Sequence, residues 1–228
     1  NIFKQCWRHC VDLVENHFTE LAMLIWLAIY WYASITANLN IGVRHLMPTY
    51  GFVFILLAGQ ITKISEKIFN KKLLTAYCLA LSTLFAWYLY ENISVYPHYL
   101  TYFNQVAGGP SGGHRYVVDS NLDWGQDLKR FATWVDENNI QKIHFDYFGW
   151  ADTGFYLKGK GESLWAGKYK SAHEFLADNP EGGYIAVSVS FFMGSTQNPE
   201  TSYAWLNNYE KITTIGNSIF VWYLAPIK

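Results

Sequence analysis

Charge is what this sequence has least of. Asp, Glu, Lys and Arg make up only 15% of the 228 residues, and 17 basic side chains nearly balance 18 acidic ones for a formal net charge of -1. Without a basic excess to neutralise phosphates, the composition argues against nucleic-acid binding. Three cysteines are too few for a disulfide scaffold. No G-x-S-x-G, Walker or dinucleotide-type glycine pattern is present, and no paired-carboxylate site follows from spacing alone. The first apolar run has no small-residue cleavage site behind it, so it is not read as a signal peptide. The chain opens on Asn1 rather than Met, and the expectation is a fragment of a longer chain.

What the chain has in excess is apolar and aromatic surface: 51% hydrophobic residues, which excludes disorder, and 18% Phe, Trp and Tyr. The few charges are spaced far apart in the first part. Between Glu20 and Arg44 lie 23 residues without one, between Arg44 and Lys63 another 18, and between Lys72 and Glu91 another 18. At about 1.5 Å per residue, such stretches in helical form match a hydrocarbon core of roughly 30 Å. Three membrane spans are therefore expected, at about 21–40, 45–62 and 73–91, within a transmembrane region 1–95.

Rings cluster where a bilayer interface would fall: Trp31 and Tyr32, Tyr50, then Trp87, Tyr88 and Tyr90. The connection 63–72 carries Lys63, Lys67, Lys71 and Lys72, whereas the one before Arg44 carries almost no charge. The positive-inside bias then puts 63–72 and the N-terminal segment with Lys4 and Arg8 in the cytoplasm, and everything after about residue 95 outside. The expected location is the inner (plasma) membrane, multi-pass.

From Tyr96 onward Gly, Pro, Asn and Asp cluster and charges disperse, as in a water-soluble domain: 23 of them across 96–228, against 12 before. After the loop Gly108–Gly113, Tyr116–Asp119 reads as a strand, a helix starts near Trp124 with Leu128, Phe131, Ala132 and Val135 on one face, and Lys142–Tyr147 alternates as a second strand. Together these predict a βαβ unit. A short helix at 172–177, a strand at 184–190 and a hairpin turning at Gly216-Asn217 complete the reading. The expected fold is thus three transmembrane helices followed by a small extracytoplasmic α/β domain, 96–228, with a mixed sheet.

Asp119-Ser120-Asn121-Leu122-Asp123-Trp124-Gly125-Gln126-Asp127 is the densest polar cluster. Carboxylates and amides beside an indole suit a sugar, so Asp119, Asn121, Asp123, Trp124 and Asp127 are candidate substrate contacts; helix capping is the competing use. Asp146 and Asp152, near Tyr147 and Trp150, extend this cluster or belong to a surface loop. Arg44 and His45, beside Pro48 at the start of the second span, either hold a lipid phosphate by charge-assisted hydrogen bonds or anchor the helix at the headgroups. Cys6, His9, Cys10 and His17 match no strong zinc spacing, and no metal site is expected.

Three runs then carry a resemblance: NIGVRHLMPTYGFVFILLAG, YPHYLTYFNQVAGGPSGGHRYVVDSNLDWGQDLKRF and YAWLNNYEKITTIGNSIFVWYL. From Asn38 onward the chain resembles the C-terminal part of bacterial membrane glycosyltransferases of the protein O-mannosyltransferase-like group (family 39, C-type fold). The DSNLDWGQDLK stretch is its most specific part. The resemblance implies transfer of a sugar from a polyprenyl-phosphate carrier to an acceptor on the extracytoplasmic face. It implies a lipid-linked donor in place of a bound cofactor, and Arg44 and His45 at the carrier phosphate. It also implies that the catalytic acidic loop lies in a missing N-terminal transmembrane region. Where this group usually has a second proline the chain has Gly51. A membrane-anchored carbohydrate-binding module, or a non-catalytic subunit of an envelope assembly, remains the alternative.

Overall fold

A computed structural model of the protein describes residues 2–37 and 42–226. The chain divides into two compact units, residues 1–91 and 92–228.

The first unit is helical. α1 spans Ile2–Thr36 and is broken at His17, where the backbone leaves helical geometry (φ -132°, ψ 28°). A short 3-10 turn, Val43–Leu46, leads into α2, Met47–Lys67, and α3 follows at Lys71–Ser94. Pro48 sits in the first turn of α2, where its missing N–H costs no helical bond. The first expected span ran to residue 40, but α1 ends at Thr36; residues 38–41 lie outside the described residues.

Polar side chains fix the pairing of α1 with α2. Lys63 Nζ lies 3.1 Å from Glu20 Oε1 at one end. At the other, the Tyr30 hydroxyl donates to the His45 carbonyl at 2.8 Å and Trp31 Nε1 donates to Thr49 Oγ1 at 3.2 Å. Low residue numbers on one helix thus meet high numbers on the other, so the pair is antiparallel. Between these ends Trp26 packs on Phe52 with ring centroids 4.7 Å apart. α3 joins α2 where the Tyr77 hydroxyl donates to the Ile61 carbonyl. Most of the apolar surface remains outward: Ile29, Ile35, Phe54, Leu79 and Phe85 are all exposed. Water would penalise such a surface heavily. All three helices are long and apolar enough to cross a membrane.

The second unit is a small domain around a mixed five-stranded sheet. Its elements are α4 (Leu128–Glu137), β1 (Ile143–Asp146), α5 (Thr153–Leu157), β2 (Gly161–Ser163), α6 (Ala172–Asp178), β3 (Gly183–Ser188), α7 (Val189–Ser195), β4 (Lys211–Ile215) and β5 (Ile219–Leu224). The strand order is β2-β1-β3-β5-β4. β2, β1 and β3 are parallel, whereas β5 is antiparallel to both β3 and β4.

Both faces of the central strands are covered, which is why β3 and β5 read as nearly continuous apolar runs. Ile185, Val187, Phe220 and Trp222 point to one face and pack with Phe175 of α6 and Phe192 of α7. Ala186, Ile219 and Val221 point to the other and meet Leu128, Phe131 and Val135 of α4. Each of these large side chains contributes about 1.5–3 kcal/mol on burial, and the four-residue stripe of α4 is fully buried.

The β4–β5 hairpin turns on Gly216 and Asn217, both at positive φ (58° and 66°), as its sequence predicts. Its outer strand β4 is irregular: the register shifts between Lys211 and Thr213.

Three sequence expectations need correction. Tyr116–Asp119 is not a strand; it runs irregularly into a 3-10 turn, Asp119–Asn121. Asp119 has φ 56° and gives its N–H to Ser190 Oγ, which no ladder pairing allows. The helix begins at Leu128 rather than Trp124, because Gly125 holds φ 73° and the Gln126 side chain takes the Trp124 N–H. The strand expected to reach residue 190 stops at Ser188, and Val189–Ser195 coils into α7 despite its β-favouring composition. The parallel connections therefore run from β1 through α5 to β2, and from β2 through α6 to β3.

Candidate functional site

β1 and β3 are parallel neighbours, so the segments after their carboxyl ends leave the sheet on the same side. One connection proceeds through α5, which packs on one face through Leu157; the other enters α7, which packs on the opposite face through Val189 and Phe192. Divergence of this kind opens a crevice at the strand ends. Here the crevice is a cleft of about 420 Å³. Asp119, Ser120, Asp123 and Trp124 line one side, residues 147–150 after β1 line another, and Phe191 of α7 closes it.

The two polypeptide segments meet closely. The Tyr147 hydroxyl donates to the Gly125 carbonyl at 2.6 Å. A Cβ on Gly125 would stand 2.3 Å from the Tyr147 hydroxyl and 2.8 Å from the Phe148 carbonyl oxygen. Only glycine fits that approach, and only glycine is at ease at its φ of 73°. Ser188, the last residue of β3, accepts the Phe148 N–H at 2.9 Å and holds the second segment in place.

Asp123 is the buried acid of the cleft, only 1% exposed. Its Oδ1 accepts the Gly125 N–H at 2.9 Å, and its Oδ2 lies 3.5 Å from Ser190 Oγ. Burial pushes its carboxyl up to about 7 against the stabilising Gly125 N–H, and the nearby charges of Asp127 and Asp119 push the same way. Near neutrality it is therefore present both as a donor and as an acceptor. Burial and the Asp123 charge push the Tyr147 phenol up, which keeps it a donor. Asp119 sits at the rim in a left-handed conformation, and its Oδ1 takes the following Ser120 N–H at 2.6 Å. The Trp124 indole N–H donates to the Ser120 carbonyl at 2.8 Å, leaving the ring itself exposed. Trp150 is fully exposed beside it.

The other predicted residues fall elsewhere. Asp127 is buried but faces the hairpin, where Oδ2 accepts from the Ser218 hydroxyl at 2.7 Å and Oδ1 accepts from Arg130. It ties the start of α4 to the β4–β5 turn. Asn121, in the 3-10 turn, does not line the cleft. Asp152 caps α5 by accepting the Phe155 N–H, and Asp146 accepts from the Tyr203 hydroxyl at 2.7 Å. Burial pushes the Asp146 carboxyl up. Arg44 and His45 are exposed in the 3-10 turn before α2, in the helical unit. Phe148 and Phe191 had no sequence signal: Phe148 follows the end of β1, and Phe191 lines the cleft, with Ser190 reaching Asp123, because β3 stops at Ser188 and the chain turns into α7. Among the described residues no group of three or more His, Cys, Asp or Glu side chains is placed to hold a metal. The side chains of Cys6, His9 and Cys10 lie outside those described.

Two carboxyls, a phenol and exposed indole faces in one cleft suit a polyhydroxylated ring: the polar groups exchange hydrogen bonds with hydroxyls and the rings cover C–H faces. Comparison with family models, with curated proteins and with solved structures finds no match to the chain.

Proposed function

We propose that this chain is the C-terminal part of a membrane glycosyltransferase that draws its sugar from a polyprenyl-phosphate carrier, and that the cleft at the ends of β1 and β3 holds a sugar ring. The observation that carries the reading is the cleft itself, lined by Asp119 and Asp123 together with Trp124 and Trp150. It stands on a domain that follows three helices of membrane-spanning length. In this reading the helical unit sits in the inner membrane with 63–72 in the cytoplasm, the α/β domain is extracytoplasmic, and Arg44 and His45 contact the carrier phosphate. A guanidinium suits a phosphate through paired N–H donors, and both side chains are exposed.

The test uses the chain in lipid nanodiscs with a radiolabelled polyprenyl-phosphate hexose and with free hexoses, binding being followed by tryptophan emission. Trp150→Ala should weaken sugar binding by about tenfold, the value of one lost ring stack. Arg44→Ala should weaken the carrier-linked sugar but not the free one. Equal affinities in wild type and both variants would sink the reading. Binding without transfer, in membranes holding the full-length protein, would instead leave a membrane-anchored carbohydrate-binding module.

A further inference from the structure

A second cavity in the α/β domain, of about 320 Å³, shares no lining residue with the cleft, although both are reached from α7: Phe191 faces the cleft and Phe192 faces this cavity. Its basic side chains come from two directions. His114 and Arg115 end the 3-10 turn Pro110–Arg115, and Lys211 opens β4. The apolar wall is formed by Phe192, Phe220 and Trp222. Lys211 Nζ stands 3.9 Å over the Phe220 ring, and the His114 ring meets the same ring edge-on at 5.2 Å.

None of the lining residues is acidic. Burial, then the Lys211 charge and, more weakly, that of Arg115 push His114 down against a backbone hydrogen bond at Ser111, and burial and Arg115 push Lys211 down. Two cationic side chains, Arg115 and Lys211, thus crowd against an imidazole kept neutral, with no ion pair to a carboxylate among the described residues, an arrangement that an incoming anion relieves. Trp222 adds a further unmet demand: it is 1% exposed and its indole N–H finds no acceptor among the described residues. A cavity of this size falls at the lower end of the range for small-molecule sites.

We propose that this cavity is an anion site that takes an oxyanion, phosphate or carboxylate, carried on an apolar body. Arg115 and Lys211 hold the oxyanion, and the body lies against the wall formed by Phe192, Phe220 and Trp222. The site is independent of the sugar cleft, so failure of either leaves the other standing.

Titration calorimetry of the full chain in maltoside micelles, with phenyl phosphate, inorganic phosphate and phenol as probes, tests it. Phenyl phosphate should bind more tightly than inorganic phosphate, and phenol should not bind. Lys211→Met, which keeps the alkyl stem over Phe220, and Arg115→Gln, at an exposed position, should each weaken phenyl phosphate by about tenfold or more. Dihexanoyl phosphatidic acid separates the sources of the anion: tighter binding than phenyl phosphate assigns a lipid headgroup, weaker binding a soluble ligand. Equal affinity of wild type and Arg115→Gln, or binding of phenol as tightly as phenyl phosphate, would overturn the proposal.

Discussion

Asp123→Asn replaces a buried carboxyl by a neutral isostere that still offers an oxygen to the Gly125 N–H. The native group titrates near 7, whereas its ordinary value is 3.8. Because the folded state holds this proton more tightly than the unfolded state, the group makes no difference to stability below the unfolded value. Between the two values the unfolded chain releases its proton while the folded one keeps it, so stability falls with rising pH. Above the folded value both are ionised and the whole penalty, roughly 4 kcal/mol at one pK unit per 1.36 kcal/mol, has accrued. Asparagine carries no such penalty. Urea unfolding of wild type and variant, followed by tryptophan emission across pH, should therefore give curves that converge near about pH 4 and separate steadily up to about pH 8, with the variant the more stable there by up to roughly 4 kcal/mol. Carboxyls that do not act on Asp123 titrate alike in both proteins and cancel in the difference; Asp127 and Asp119 enter the difference through their repulsion of Asp123. Parallel curves, or a variant less stable at the alkaline end, would refute the assignment of the raised carboxyl to Asp123.

Gly216→Ala should destabilise the domain by at least about 2 kcal/mol in the same urea assay, since the residue needs positive φ and a Cβ there would stand 2.0 Å from the Asp127 carboxyl carbon. Ser218→Ala strips a buried hydrogen bond from that carboxylate and should cost about 1–3 kcal/mol, with Ser218→Thr costing more through overpacking. Trp150→Ala should leave the urea midpoint unchanged, because the side chain is fully exposed; a shift in that midpoint would mean the ring is structural and would remove it as a sugar platform.

The three helices were legible because a bilayer-length run without charge has few other uses, and the hairpin because two successive positive-φ positions demand Gly216 and Asn217. The mixed sheet and the buried face of α4 followed from period-two and helical spacing. What escaped was set by contacts distant in sequence. Tyr116–Asp119 has strand-like side chains, but its backbone donor at Asp119 is claimed by Ser190, 71 residues away. α7 opens on Val189-Ser190-Phe191-Phe192, yet packing of Phe192 on Trp222 outweighs the preference of Val and Phe for strand. At the site, the residue types that suit a sugar were visible, but their division of labour was not. Asp123 and Asp127 are four apart, and the positive φ of Gly125 between them sends one to the cleft and the other to the hairpin.

The irregular register in β4 has a consequence for how this domain meets other chains. An outer strand with a regular row of free N–H and C=O groups is a template on which a foreign strand can add. In β4 the regular ladder is interrupted between Lys211 and Thr213, so an invading strand finds no continuous partner. At the opposite margin β2 is only three residues long. Both rims of the sheet are thereby poor templates for strand addition, which disfavours edge-to-edge joining of copies of a domain whose central strands are among its most apolar segments.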